Sequence, residues 1–232
     1  MELKLETICA LATGSGIGAI AVVRISGAES RKIFSQCFSK DLSKVKSHTI
    51  HFGTISGIDG TQIDEVLVSY FEHGRSFTGE ESIEISCHGS PYVQQQILAV
   101  LQQCGCRMAE PGEFTKRAFI NGKLDLSQAE AVADLIAAQS KKAHRIALSQ
   151  LKGNLSLDLK VLRESLIAFA SLIELELDFS EEDVEFADRT QLKELVAKVL
   201  TTVDQLSTSF ALGNALKNGV PVAIVGAPNT GK

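Results

Sequence analysis

Gly18-Ala19-Ile20-Ala21-Val22-Val23-Arg24-Ile25 is the stretch that decides the fold class. It is almost continuously apolar and rich in β-branched residues, the pattern of a strand buried on both faces of a sheet. Arg24 is its one charge, and in such a strand a charge must reach solvent, a carboxylate or a ligand. Upstream, Thr7 to Ala12 reads as a short apolar strand that ends at Thr13-Gly14-Ser15-Gly16. Downstream, Ser26-Gly27-Ala28-Glu29 matches a capping box, with Glu29 placed to reach back to the Ser26 amide, and Ile33, Cys37 and Phe38 follow at helical spacing. Further strands are predicted at Thr49–Ile55, Glu65–Phe71 and Ser82–Cys87. Ser90-Pro91 looks like an N-cap followed by proline at the first helical position, opening a helix with Val93, Ile97, Val100 and Leu101 inward.

The second half changes character. Ser127-Gln128-Ala129-Glu130 matches another capping box, followed by a helix apolar on most sides. Leu148, Leu151, Leu155, Leu159, Leu162, Leu166 and Phe169 then recur at three- and four-residue steps. A further stripe runs through Leu192, Leu195, Val196, Val199, Val203, Leu206 and Phe210. Such stripes bury one helix face against neighbours, so this half reads as a helical bundle. Between them lies an acidic cluster, Glu174, Glu176, Asp178, Glu181, Glu182, Asp183, Glu185 and Asp188. It lacks the glycine of a calcium loop and reads as a solvated helix end with acids near the next N-terminus.

The 232 residues suffice for one large domain or two ordinary ones, and an apolar fraction of 44% is that of a globular protein. No apolar run reaches the ~18 residues that span a membrane. The first residues carry no signal-peptide pattern, so the expected location is the cytoplasm. The odd count of five cysteines argues against a disulfide framework and for reduced thiols in or near the core; Cys104-Gly105-Cys106 has no second cysteine pair to make a zinc site. A net charge of −5 is no footprint for autonomous nucleic-acid binding, so an RNA role needs a local basic patch, another domain or a partner.

Val220–Val225 is a short apolar strand that runs into Gly226-Ala227-Pro228-Asn229-Thr230-Gly231-Lys232. Gly226, Gly231 and Lys232 fit G-x-x-x-x-G-K, lacking only the final Ser or Thr. Glycines let the backbone point successive N–H groups at phosphate oxygens, the lysine serves the β and γ phosphates, and the missing hydroxyl would bind magnesium. The alternative is a glycine-rich turn; the preceding strand favours the phosphate loop. A domain that starts with a strand and stops inside this loop is expected to be incomplete and inactive alone as a GTPase.

Several segments belong together: Phe77-Thr78-Gly79-Glu80-Glu81-Ser82-Ile83-Glu84 followed by His88-Gly89, Pro111-Gly112-Glu113-Phe114-Thr115-Lys116-Arg117-Ala118-Phe119, Asn121-Gly122-Lys123-Leu124-Asp125-Leu126-Ser127-Gln128-Ala129-Glu130-Ala131, Asp178-Phe179-Ser180-Glu181-Glu182, and the loop Gly226–Lys232. Together they resemble the MnmE (TrmE) family of bacterial tRNA-modifying GTPases. They stand in family order along the whole chain.

The resemblance implies an α+β architecture in three parts. Residues 1–118 would form a mixed α/β tetrahydrofolate-binding and dimerisation domain resembling the aminomethyltransferase folate-binding fold. Residues 119–217 would form the N-terminal half of an all-α helical domain, and 218–232 the first strand of a P-loop GTPase domain, cut at the Walker A loop. It implies a folate site of Arg24, Glu84 and Lys123. A pterin edge presents adjacent N–H donors that suit a carboxylate, and a glutamate tail presents carboxylates that suit Arg or Lys. Which cation faces which end stays open, and spacing alone leaves each as a surface charge or ion-pair partner.

The resemblance further implies GTP bound through Asn229, Thr230, Gly231 and Lys232, with Mg2+, and with K+ near Asn229. The expected carbon source is a 5-formyl- or 5,10-methylene-tetrahydrofolate. The expected partners are a second copy, the FAD-bearing protein MnmG and tRNA, and the expected product is an aminomethyl-type group at C5 of the wobble uridine 34. No cysteine matches the family's C-terminal cysteine tail, so none is assigned to catalysis. A P-loop assembly factor without one-carbon chemistry and a stand-alone folate-dependent aminomethyltransferase are the competing readings.

Overall fold

The computed structural model describes residues 6–178, 189–218 and 225. The chain divides into two compact units, Met1–Leu124 and Asp125–Lys232.

In the first unit the elements run β1 (Ile8–Leu11), β2 (Ile20–Ser26), α1 (Ser30–Phe34), β3 (Thr49–Ser56), β4 (Gln62–Phe71), β5 (Ser82–His88), α2 (Pro91–Gln103), β6 (Arg107–Met108) and α3 (Glu113–Ile120). The strands form one sheet in the order β3-β4-β5-β2-β1-β6, antiparallel throughout except for the parallel β1–β6 pair. Period-two alternation sorts the side chains. Val23 and Ile25 of β2, Val66, Val68 and Tyr70 of β4, and Ile83 and Ile85 of β5 are buried with Ile33 and Phe34 of α1 and Ile97 and Leu101 of α2.

The opposite face of the sheet corrects the reading of β2 as buried on both sides. Ile20 is exposed, and Val22 and Arg24 are only half-buried. An antiparallel sheet can leave one face wet, and this one does. The capping box at Ser26 is also corrected. β2 continues through Ser26, α1 begins at Ser30 behind Glu29, and Glu29 makes no side-chain cap. The Ser26 hydroxyl serves the loop before β5 instead, bonding Thr78 and Glu80.

The strands expected at Thr49, Glu65 and Ser82 are present, with β4 starting earlier, at Gln62. Pro91 opens α2 behind Ser90, whose hydroxyl makes no cap bond. The cysteines are free thiols, four buried and Cys104 half-buried.

The second unit holds α4 (Leu126–Ala137), α5 (Lys141–Leu151), α6 (Asn154–Asp178) and α7 (Arg189–Asn218). The capping box of α4 lies two residues before the expected position. Asp125 is the N-cap, its carboxylate accepts from the Gln128 amide at 2.8 Å, and Gln128 Oε1 accepts from the Asp125 amide at 2.9 Å. The Ser156 hydroxyl first, and then the Gln128 amide, hold the Asp125 carboxyl below the usual carboxylate range.

The stripe from Leu148 to Phe169 is not one helix face. Gly153, with φ +75°, separates α5 from α6. Leu162 and Phe169 are buried, while Leu159, Leu166, Val196 and Val203 are exposed. Among the described residues no helix is long and apolar enough to cross a membrane, and no group of His, Cys, Asp and Glu could hold a metal. Residues 179–188 of the acidic cluster lie outside the described residues. So does the phosphate loop, with Asn229, Thr230, Gly231 and Lys232, and all of its strand but Val225.

Candidate ligand site

Arg24 and Glu84 face each other across β2 and β5, as register partners on the wet face of the sheet. Arg24 Nε donates to Glu84 Oε1 at 2.9 Å, and Nη2 lies 2.8 Å from the same oxygen as an ion pair. Both contacts fall on one oxygen, so Oε2 remains for another donor. The side chains are 23% and 30% exposed, open enough for a ligand to reach them. Ser82 shares the β5 face, as its spacing from Glu84 requires.

A cavity of about 200 Å³ opens at this pair. Its wall is Arg24, Ser82, Glu84 and Phe71 from the sheet, and Arg75, Ser76 and Phe77 from the loop between β4 and β5. The Arg24 guanidinium stands 5.2 Å from the centre of the Phe77 ring and 5.4 Å from that of Phe114 on α3. Those distances suit cation–π attraction. The site thus combines a carboxylate, two guanidinium groups and aromatic faces.

Lys123 has a different place from the one the sequence suggested. Its Nζ donates to the Gly74 carbonyl at 3.0 Å, and its stem packs on Gly79. Gly79 has φ +79°, and an added Cβ there would lie 3.1 Å from Lys123 Cγ and from Asn121 Cβ. Asn121 Nδ2 donates to the Thr78 carbonyl at 2.7 Å. Lys123 therefore braces the loop that forms the cavity wall and does not line the cavity.

Sequence reasoning missed Phe77, Phe114, Arg75 and Ser76. Phe77 and Phe114 were inside the quoted segments, but nothing in their spacing said that segments 37 residues apart would meet at one arginine. Behind the wall lies a second set of charges. Arg107 and Arg117 both bond Glu113. The Arg107 guanidinium first, with the Glu110 amide and Arg117, holds the Glu113 carboxyl down at about 2.

The wall, the brace and the charges behind it thus draw on three stretches: Phe77–Glu84, Asn121–Lys123 and Glu113–Arg117. A family model described as the GTP-binding protein TrmE N-terminus matches residues 7–123, and one described as the MnmE helical domain matches 126–221. The chain belongs to the MnmE family. It is similar to proteins named tRNA modification GTPase MnmE from Flavobacterium johnsoniae (59% identical over 231 residues), Flavobacterium psychrophilum (58% over 232) and Bacteroides fragilis (55% over 232). Each match covers 98% of this chain and 49%, 50% and 50% of the relative, so the chain spans about half the length of the MnmE proteins it matches.

Proposed function

We propose that this chain is the reduced-folate-binding and helical part of a tRNA modification GTPase, and that the Arg24–Glu84 cavity is its folate site. The observation that carries the reading is an accessible arginine–carboxylate pair whose guanidinium lies against two aromatic rings, in a chain of the MnmE family. Glu84 offers paired acceptors to the N–H edge of a pterin, and Arg24 or Arg75 offers a cation to a carboxylate tail. About 200 Å³ is below the ~300–1,000 Å³ of pockets that enclose a whole drug-sized ligand. The cavity therefore takes one end of the folate and leaves the other at its mouth. Lys123 acts in this reading through the loop it braces.

With its GTPase domain, the protein would work in the cytoplasm with MnmG, which bears FAD. It would use a 5-formyl- or 5,10-methylene-tetrahydrofolate carbon to build the aminomethyl-type group at C5 of uridine 34 in tRNA. Asn229 to Lys232 would hold GTP with Mg2+, and Asn229 would contribute to a K+ site. In the full-length protein, Asn229→Ala is expected to abolish the potassium dependence of GTP turnover.

We also propose a homodimer through the first unit. Ile50 and Phe52 of β3 and Leu67 of β4 are exposed large apolar residues, and Phe52 and Leu67 are register partners on the edge of the sheet. Sedimentation should give a dimer mass that Phe52→Asp reduces to that of a monomer.

The folate reading is tested by calorimetric titration of the chain with 5-formyltetrahydrofolate. Saturable binding at one site per chain, lost on Arg24→Ala, is expected. Heat no larger than dilution would refute it and favour a GTPase without one-carbon chemistry.

A further inference from the structure

The Glu80–Arg117 pair is a positioning device for the ligand cavity, we propose: it sets the two aromatic rings, Phe77 and Phe114, at their stations beside Arg24. The inference rests on the reading of that cavity as a folate site and adds residues that do not line it.

Arg117 is buried on α3, one turn beyond Phe114. Its Nη1 donates to both Glu80 oxygens at 3.2 and 3.1 Å, and its Nη2 donates to Glu113 Oε1 at 3.0 Å and to the Glu6 carbonyl at 2.8 Å. Glu80 closes the loop that carries Phe77. Its Oε2 also accepts from Ser26 Oγ at 2.7 Å, and Ser26 stands two residues beyond Arg24 on β2. One carboxylate thus ties three carriers together: the helix of Phe114, the loop of Phe77 and the strand of Arg24.

The remaining polar groups of the loop are fastened to the same frame. Ser76 Oγ donates to the Glu80 carbonyl at 2.5 Å, the Glu80 amide donates to Thr78 Oγ1 at 3.2 Å, and Thr78 Oγ1 lies 2.7 Å from Ser26 Oγ.

A buried ion pair is a weak way to gain stability, because well-packed apolar residues of similar volume often do as well or better. What a forked guanidinium adds is direction. Its planar donors fix both partners in distance and orientation. Here the fixed partners are the supports of two rings whose separation from Arg24 decides whether a flat heterocycle can enter beside it. Arg24 and Glu84 would touch the ligand, and Glu80 and Arg117 would act only through Phe77 and Phe114.

The test is a double-mutant cycle on the affinity for 5-formyltetrahydrofolate. Glu80→Gln is expected to weaken binding about tenfold in the wild-type background, and Phe77→Ala by about as much. In the Phe77→Ala background, Glu80→Gln should change the affinity by less than about twofold, because the ring it places is gone. A general loosening of the fold would cost the same in both backgrounds, and that result would overturn the proposal. So would an unchanged affinity for Glu80→Gln. Ser26→Ala gives a milder second cycle if Glu80→Gln folds poorly; it should show a smaller loss that also vanishes with Phe77→Ala. A wild-type chain that does not bind at all sinks the folate reading and this inference with it. The wild-type curve alone separates that case from failure of the positioning role.

Discussion

Two arginine–carboxylate pairs stand on either side of one wall, and they differ in burial more than in chemistry. Arg24 and Glu84 are 23% and 30% exposed; Arg117 and Glu80 are 2% and 13% exposed. Arg24 has one protein carboxylate and two aromatic neighbours, so a ligand that brings its own donors or carboxylate can share the pair. Arg117 has Glu80, Glu113 and the Glu6 carbonyl, and burial excludes any competitor. On the proposed reading, burial suits the first pair to recognition and the second to support, although each is a guanidinium on a carboxylate. The comparison can be broken at several points.

The largest effect is expected at the buried pair. Arg117→Met leaves Glu80 without its cation and should lower stability by about 3–5 kcal/mol, read from denaturant unfolding. A loss under about 1 kcal/mol would place Arg117 with the solvent-screened pairs.

Acid should attack the same region. The Glu113 carboxyl is held at about 2, below the ordinary 4.5, by Arg107 first. A carboxylate with a depressed value in the folded state contributes stability that is fully present above 4.5 and lost as the pH falls towards 2. Unfolding midpoints should fall across that window in the wild type and vary less in Glu113→Gln. Equal slopes in the two proteins would remove Glu113 from the account.

Arg24→Ala is expected to have the smallest effect on stability, about 0–1 kcal/mol, since a partly exposed pair gains little against solvent. A loss as large as that of Arg117→Met would mean that the two pairs do the same job.

The positions of β1 to β5 along the chain were legible because alternation and β-branched runs are local signals, and so was the need of Arg24 for a partner; the order of the strands in the sheet was not. The family resemblance put Glu84 in one site with Arg24, but nothing in the sequence made the two register partners. The wet face of β2 was not legible, because apolar Ile20 and Val22 read as buried, although on that side only the end of β2 around Arg24 and Ser26 is covered among the described residues, by the Phe77 loop and Phe114 of α3. Both capping boxes were misplaced for a related reason. Ser26 and Ser127 fit the motif, but strand pairing carries β2 through Ser26, and Asp125 starts α4 before Ser127 is reached. Arg117 was invisible as a support. Its partners lie 4, 37 and 111 residues away, and no periodicity links such positions. At Lys123 the sequence could not distinguish a cation that touches a ligand from one that braces a loop carbonyl.

The most direct test of the central claim is to measure affinity and stability side by side in Glu84→Gln. The substitution keeps the shape of the side chain and turns one acceptor into a donor that faces donors. Hydrogen bonds to charged groups contribute roughly 1.5–3 kcal/mol, so the affinity for 5-formyltetrahydrofolate should fall at least ~10-fold, with the unfolding midpoint little changed. Wild-type affinity in Glu84→Gln and in Arg24→Ala, with both folded, would leave the pair as an ordinary surface ion pair and contradict the account.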